Sequence, residues 1–239
     1  SAAGKILPAS TLFAVSLPVS DIEGYLKSHS LFLEVQKKTG SFAYRQKMAQ
    51  GESKVTPLKW VDSLQVEELV SAYCKSGEKC EWLTSIRGKQ QFGLNNVISA
   101  VVENEKGELP QPFGYKGYVA SVFGDLFSHC NEEAVCKVGA WTIIGPHKIL
   151  EEFANGNAYY FSLDQYFGQT PVGNYLGKEA SVKMLANIKE AGDSVLQVFK
   201  PYTRACLQQQ MERNNFEFLT MDIAFHNGKP GVEVNFYAS

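Results

Sequence analysis

No stretch of one charge runs through the 239 residues: 23 basic and 25 acidic side chains are interspersed, leaving a formal net charge of −2. That balance gives no electrostatic footprint for nucleic acid or for an acidic membrane surface. Long apolar runs are missing as well, since none approaches the ~18 to 20 residues of a membrane-spanning helix. No signal peptide is recognisable, and a start at Ser1-Ala2-Ala3-Gly4 without Met reads as processed. The chain carries no G-x-S-x-G elbow, no G-x-x-x-x-G-K-[ST] phosphate loop, no dinucleotide fingerprint and no H-E-x-x-H helix. Histidine is scarce. His29, His129, His147 and His226 lie far apart, none at i, i+4 from another, so each reads as solvated or structural rather than as a ligand or base. No cofactor is expected.

What is present is an ordinary globular composition, 44% hydrophobic and 12% aromatic, enough to bury the core of one large domain or two small ones. The clearest periodic signal is residues 216–237, FEFLTMDIAFHNGKPGVEVNFY, which alternate apolar and polar on both sides of Asn227-Gly228. That dipeptide tolerates positive φ and marks a β-hairpin. A two-residue loop pairs positions whose numbers sum to 455, setting Ile223 against Val232, Met221 against Val234 and Leu219 against Phe236. That face needs a core, with Met221, Ile223, Val234 and Phe236 expected to be buried. The other face sets Asp222 opposite Glu233, with Asn235 beside it. Like charges so opposed are mildly destabilising unless a cation or basic side chain sits nearby.

Upstream, Leu12 to Leu17 reads as a buried strand, and Ser20 with Glu23 as a capping box opening a helix to about Lys27. Leu31 to Met48 fits either strand or helix, with helix preferred, and Gly51 to Pro57 reads as a polar loop. VEELVSAYC (66–74) and CEWLTSIRG (80–88) form a hairpin with Trp82 in its core; Lys89 to Tyr115 reads as a mobile surface excursion. GYVASVFG (117–124) reads as a strand and AVCKVGAWTIIG (134–145), with Trp141, as its partner. Pro146 then opens a helix stopped by Gly156. Ser162 caps a short helix; Ala180 to Ile188 is a strand followed by helix to Phe199, weakly repeating the opening strand-helix unit. Pro201 starts a helix whose Ala205, Leu207 and Met211 lean to one side. Antiparallel pairs with helices between them make the class α+β, a sheet of hairpins covered by helices. The chain reads as a single domain over 1–239 or as two related halves with a boundary near 160–178.

Five cysteines include two equally spaced pairs, Cys74 with Cys80 and Cys130 with Cys136. Pairing Ala72 with Trp82 would put Cys74 opposite Cys80, at Cβ separations just beyond disulfide range that modest twist can close. The alternatives are cross-strand disulfides or free thiols of a reducing compartment; the five-residue spacers do not match zinc knuckles. Cys206, within a helical pattern, reads as core. Cys130 beside His129 is a candidate nucleophile, because an imidazole can activate a thiol.

Asp222 on one strand and Glu233-x-Asn235 on the next resemble the magnesium-binding end of ATP-grasp enzymes, in which hard oxygen ligands hold a metal against nucleotide phosphates. Over the whole chain, the opening ILPASTLFAVSL, then NNVISAVVENE, YKGYVASVFGDLFS, VGAWTIIGPHKILEEFANG and the closing IAFHNGKPGVEVNFYA are similar in order and wording to a Bacteroidetes family of secreted cell-envelope lipoproteins of unknown function. The resemblance implies an extracytoplasmic protein, in the periplasm or on the outer-membrane surface, held to the membrane only through a lipid on an upstream cysteine. It also implies that this chain is part of a longer protein. The favoured function is a non-catalytic envelope protein that binds a protein or glycan, with 11 Tyr and 3 Trp to furnish a contact patch. The alternatives are a magnesium- and nucleotide-dependent enzyme built on Asp222, Glu233 and Asn235, and a thiol enzyme using Cys130 and His129.

Overall fold

Alternating segments and tight turns produce an α+β fold, with nine antiparallel strands among the described residues. The computed structural model describes residues 3–53, 65–88, 110–113, 117–154, 162–168, 182–191, 196, 200–214, 216–226 and 229–238. In chain order the strands are β1 (Thr11–Pro18), β2 (Val66–Ser76), β3 (Lys79–Gly88), β4 (Gln111–Pro112), β5 (Ala134–Val138), β6 (Trp141–Gly145), β7 (Val182–Asn187), β8 (Phe216–His226) and β9 (Lys229–Ala238). The helices are α1 (Ile22–Val35), α2 (Thr39–Ser53), α3 (Tyr118–Phe123), α4 (His147–Ala154), α5 (Leu163–Phe167), α6 (Ile188–Ala191) and α7 (Pro201–Asn214). Two units result. One comprises Ser1–Pro18, Ala72–Cys80 and Tyr160–Ser239, the other Val19–Ser71 and Glu81–Tyr159.

In the first unit the strand order is β1-β7-β8-β9. Leu12, Phe13, Ala14 and Val15 of β1 are all buried, so both faces of that strand are covered and its sequence is an unbroken apolar run rather than an alternation. Ser162 and Gln165 cap α5 reciprocally: the Gln165 amide donates to Ser162 Oγ at 3.3 Å and the Ser162 amide to Gln165 Oε1 at 3.0 Å. The terminal hairpin has the register expected from its turn, with Ile223 opposite Val232, Met221 opposite Val234 and Leu219 opposite Phe236. Asn227 and Gly228 themselves lie outside the described residues. Burial of the apolar face is corrected: Leu219 is buried, Met221, Ile223 and Phe236 are half-buried, and Val232 and Val234 are exposed. β9 ends the strand order, and among the described residues only β8 pairs with it. α7 buries none of its residues, so the expected lean of Ala205, Leu207 and Met211 seats no core and Cys206 is exposed rather than internal.

The second unit has the order β4-β5-β6-β3-β2, with β3 entering it from Glu81 and β2 as far as Ser71. Leu69, Val70, Leu83, Ile143, Ile144 and Leu150 form its core with Phe123 and Phe127, whose rings meet edge to face at 6.1 Å. Trp141 is buried and Trp82 half-buried. AVCKVGAWTIIG is not one strand but the β5–β6 hairpin, with Val138 opposite Trp141. Gly139 turns the chain at φ +59°, a left-handed conformation that costs glycine little. GYVASVFG is the short helix α3, not a strand. Every residue of α3, the polar Ser121 included, is buried, so no solvent-facing position existed to distinguish a period of 2 from one of 3.6. Helix α1 is capped by Asp21, whose Oδ1 accepts from the Gly24 amide at 3.0 Å, rather than by Ser20. It continues to Val35, and α2 covers most of the remaining ambiguous stretch before running into the expected polar loop. The expected surface excursion lies outside the described residues except at Pro110–Phe113, which holds β4. If Gly139 is a true turn position, Gly139→Ala should lower stability by about 1 kcal/mol, and Gly139→Asn by less. Urea unfolding of both variants measures this, and a stabilising Ala would mean an extended backbone there.

Candidate functional site

The polar face of the terminal hairpin is the first candidate. Ser16 of β1 stands opposite Lys183 of β7, Lys183 opposite Asp222 of β8, and Asp222 opposite Glu233 of β9. Directly opposed residues have Cβ atoms about 4.5 to 5.5 Å apart, so a lysine shares the row in which the sequence placed Asp222 against a second acidic residue. Lys183 is 3% exposed and Asp222 8%, while Glu233 is exposed and accepts from Asn235 Nδ2 at 3.1 Å. Thr220, opposite Leu185 and Asn235, is fully buried, and its Oγ1 has no hydrogen-bond partner among the described residues. Asp222, Glu233 and Asn235 thus come together, and Lys183, Ser16 and Thr220 join them. Sequence reading missed Lys183 because strand partners distant in the chain leave no local signature. Among the described residues no three His, Cys, Asp or Glu side chains gather as metal ligands. Lys183, opposite Asp222 in the β7–β8 register, puts a basic residue in the row where magnesium would need oxygen ligands.

If Lys183 neutralises Asp222 across the ladder, Lys183→Met should cost about 3 kcal/mol, because a buried acidic residue loses the cation opposite it. Glu233→Gln, on the exposed strand, should change stability by less than about 0.5 kcal/mol or raise it slightly. Urea unfolding at neutral pH separates the two, and equal small effects would show that Lys183 is not the neutralising cation.

The cysteines do not pair. All five are free thiols. β2 ends at Ser76 and β3 begins at Lys79, and a two-residue loop pairs positions summing to 155, whereas a Cys74–Cys80 opposition needs 154. One step of register sends a side chain to the other face. Cys74 is instead buried 3.5 Å from Thr11 Oγ1. Cys130 Sγ donates to the Ile144 carbonyl at 3.3 Å, and Cys136 is held opposite Ile143. Burial pushes the thiols of Cys74, Cys130 and Cys136 up to about 12, so at neutral pH they are protonated and poorly nucleophilic. The His129 ring packs on Trp82 at 5.4 Å. The Cys130–His129 neighbourhood therefore supplies no activated nucleophile.

Glu132 is a group that sequence reading did not single out. It is buried, and its carboxylate accepts from the amides of Tyr118 at 2.9 Å and Val119 at 3.3 Å. It satisfies the free N–H groups at the start of α3, where Gly117 adopts φ +74°. Burial pushes its carboxyl up to about 7, although the amides of Gly117 to Ala120 pull the other way. The folded-state pKa thus lies above the ordinary value of 4.5. The resulting stabilisation is complete below about pH 4.5 and lost as the pH rises through about 7. The expected loss is about 3 kcal/mol over that window, absent in Glu132→Gln. Urea midpoints of the two proteins across the pH range test this, and parallel profiles would mean Glu132 titrates normally.

The last candidate is a surface. Along α1 and α2, among the described side chains, only Leu33 and Ala49 are buried, while Leu31, Phe32, Val35, Tyr44 and Met48 are exposed. Leu31 and Val35, like Tyr44 and Met48, are four residues apart and share a helix face. The hairpin is tied down at its edges: Tyr25 Oη donates to the Phe123 carbonyl at 2.7 Å, and the Asp125 carboxylate accepts from Arg45 at 2.6 Å and Lys38 at 3.3 Å. His29 lies between the rings of Tyr25 and Phe42. Of the aromatic residues expected to furnish a contact patch, Trp141 is buried, Trp82 is half-buried, Trp60 lies outside the described residues, and Tyr44, Tyr166 and Tyr202 are exposed. No family model, curated protein or solved structure matches the chain.

Proposed function

We propose that this protein is a non-catalytic binding protein of the cell envelope and that the exposed face of α1 and α2 holds its partner. The observation that carries the reading is the set Leu31, Phe32, Val35, Tyr44 and Met48, exposed together on two helices whose described side chains bury only Leu33 and Ala49. Helices of a globular protein stay folded mainly by burying an apolar face, and exposed apolar clusters mark interaction sites. Aliphatic side chains favour a protein partner over a glycan, which calls for aromatic platforms edged by polar groups; Tyr44 is the only aromatic hydroxyl in the set. The extracytoplasmic setting and the lipid anchor rest on the family resemblance. The magnesium–nucleotide reading has less support, because Lys183 faces Asp222.

A photo-crosslinking residue at Val35, in protein made with its native leader and in its own envelope, should give one discrete adduct. Leu31→Asp should abolish that adduct while shifting stability by less than about 0.5 kcal/mol, since the side chain is already exposed. A probe at the exposed Glu212 of α7 is the control. No adduct from Val35, or calorimetric binding of magnesium–ATP that Asp222→Asn abolishes, would overturn the proposal.

A further inference from the structure

The outer edge of β9 is a second surface, independent of the α1–α2 face. β9 is the terminal strand of the order β1-β7-β8-β9, and among the described residues only β8 pairs with it. Gly231, Val232, Glu233 and Val234 are all exposed, Val232 at 59% and Val234 at 44%. His226 and Lys229 close the hairpin across two residues, and the pair that closes a two-residue loop exchanges both backbone hydrogen bonds. The odd-numbered residues of β9 therefore bond to β8, and the amides and carbonyls of Val232, Val234 and Phe236 face the open edge. Pro230 falls on the outward side, where its missing N–H costs the hairpin nothing.

We propose that β9 pairs antiparallel with β9 of a second copy of this chain, with Val234 on the twofold axis. In a symmetric pairing, opposed residues share a face, so the numbers of a pair must have an even sum. Centring on Glu233 sets that carboxylate against its own copy. Centring on Val232 shortens the ladder and puts Pro230 opposite Val234, and centring on Asn235 also shortens it and sets Glu233 against Tyr237. Centring on Val234 sets Val232 against the second copy's Phe236 and Glu233 against its Asn235, an amide that already donates to Glu233 within one chain. Charge and apolar pairing thus select one register. A single ladder covers less than the ~1,200 Å² of a standard interface, so the dimer is weak and reversible.

Sedimentation velocity over a concentration series should show a monomer–dimer equilibrium for the unaltered chain. Val234→Lys, which places two ammonium groups on the axis at an exposed position, should give a monomer with an unchanged thermal melt. In a Cys206→Ser background, Val234→Cys should form a disulfide-linked dimer under mild oxidation at least tenfold faster than Val232→Cys, whose copies lie four residues apart across the ladder. An unaltered chain that stays monomeric, or faster linking through position 232, overturns the proposal.

Discussion

The placement of Lys183 opposite Asp222 in the β7–β8 ladder is the pairing on which the polar side of the first unit depends. Asp222 is opposed on its other side by Glu233, and such a like-charge opposition is relieved when a cation shares the row. The pairing also restrains register. A one-residue slip of β7 would carry Lys183 to the opposite face and leave Asp222 buried against a like charge. The penalty for separating a buried carboxylate from its cation exceeds the net gain of the pair itself, so the arrangement does more to specify pairing than to stabilise it.

In the second unit a single carboxylate has a comparable role. Helix α3 is six residues long, fully buried and begins on a left-handed glycine. Its amides would be orphaned without Glu132, which reaches them from the segment leading into β5. The cost appears as a raised pKa. Burial penalises the anion more than the amides reward it, which is why a helix start that looks well satisfied is also sensitive to pH.

Both units leave apolar side chains in solvent, for different reasons. On β9 the exposure follows from position, because the last strand of a sheet has neighbours on one side only. On α1 and α2 it follows from composition, since apolar residues lie around more of each helix than its neighbours cover. Edge strands are commonly blunted by charge and proline; β9 carries Glu233 and Pro230, which restricts the registers available to an incoming strand without closing the edge.

Local chemistry determined much of this protein from the sequence alone. Asn227-Gly228 with flanking alternation set the terminal register from Phe218 to His226, Ser162 marked the start of α5, and Pro146 and Pro201 preceded or opened helices where expected, because each of these signals acts within a few residues. Asp222, Glu233 and Asn235 were legible as one cluster for the same reason. What lay beyond reach was set by contacts distant in the chain. Tyr118 to Phe123 became a helix because Glu132 meets its amides, and a uniformly buried segment carries no periodicity to reveal that. Lys183 joined the acidic pair, and Thr220 was buried in place of Val234, through the order of strands, which no residue spacing encodes. Cys74 and Cys80 stayed unpaired because a two-residue turn favours a register one step from the one that would join them.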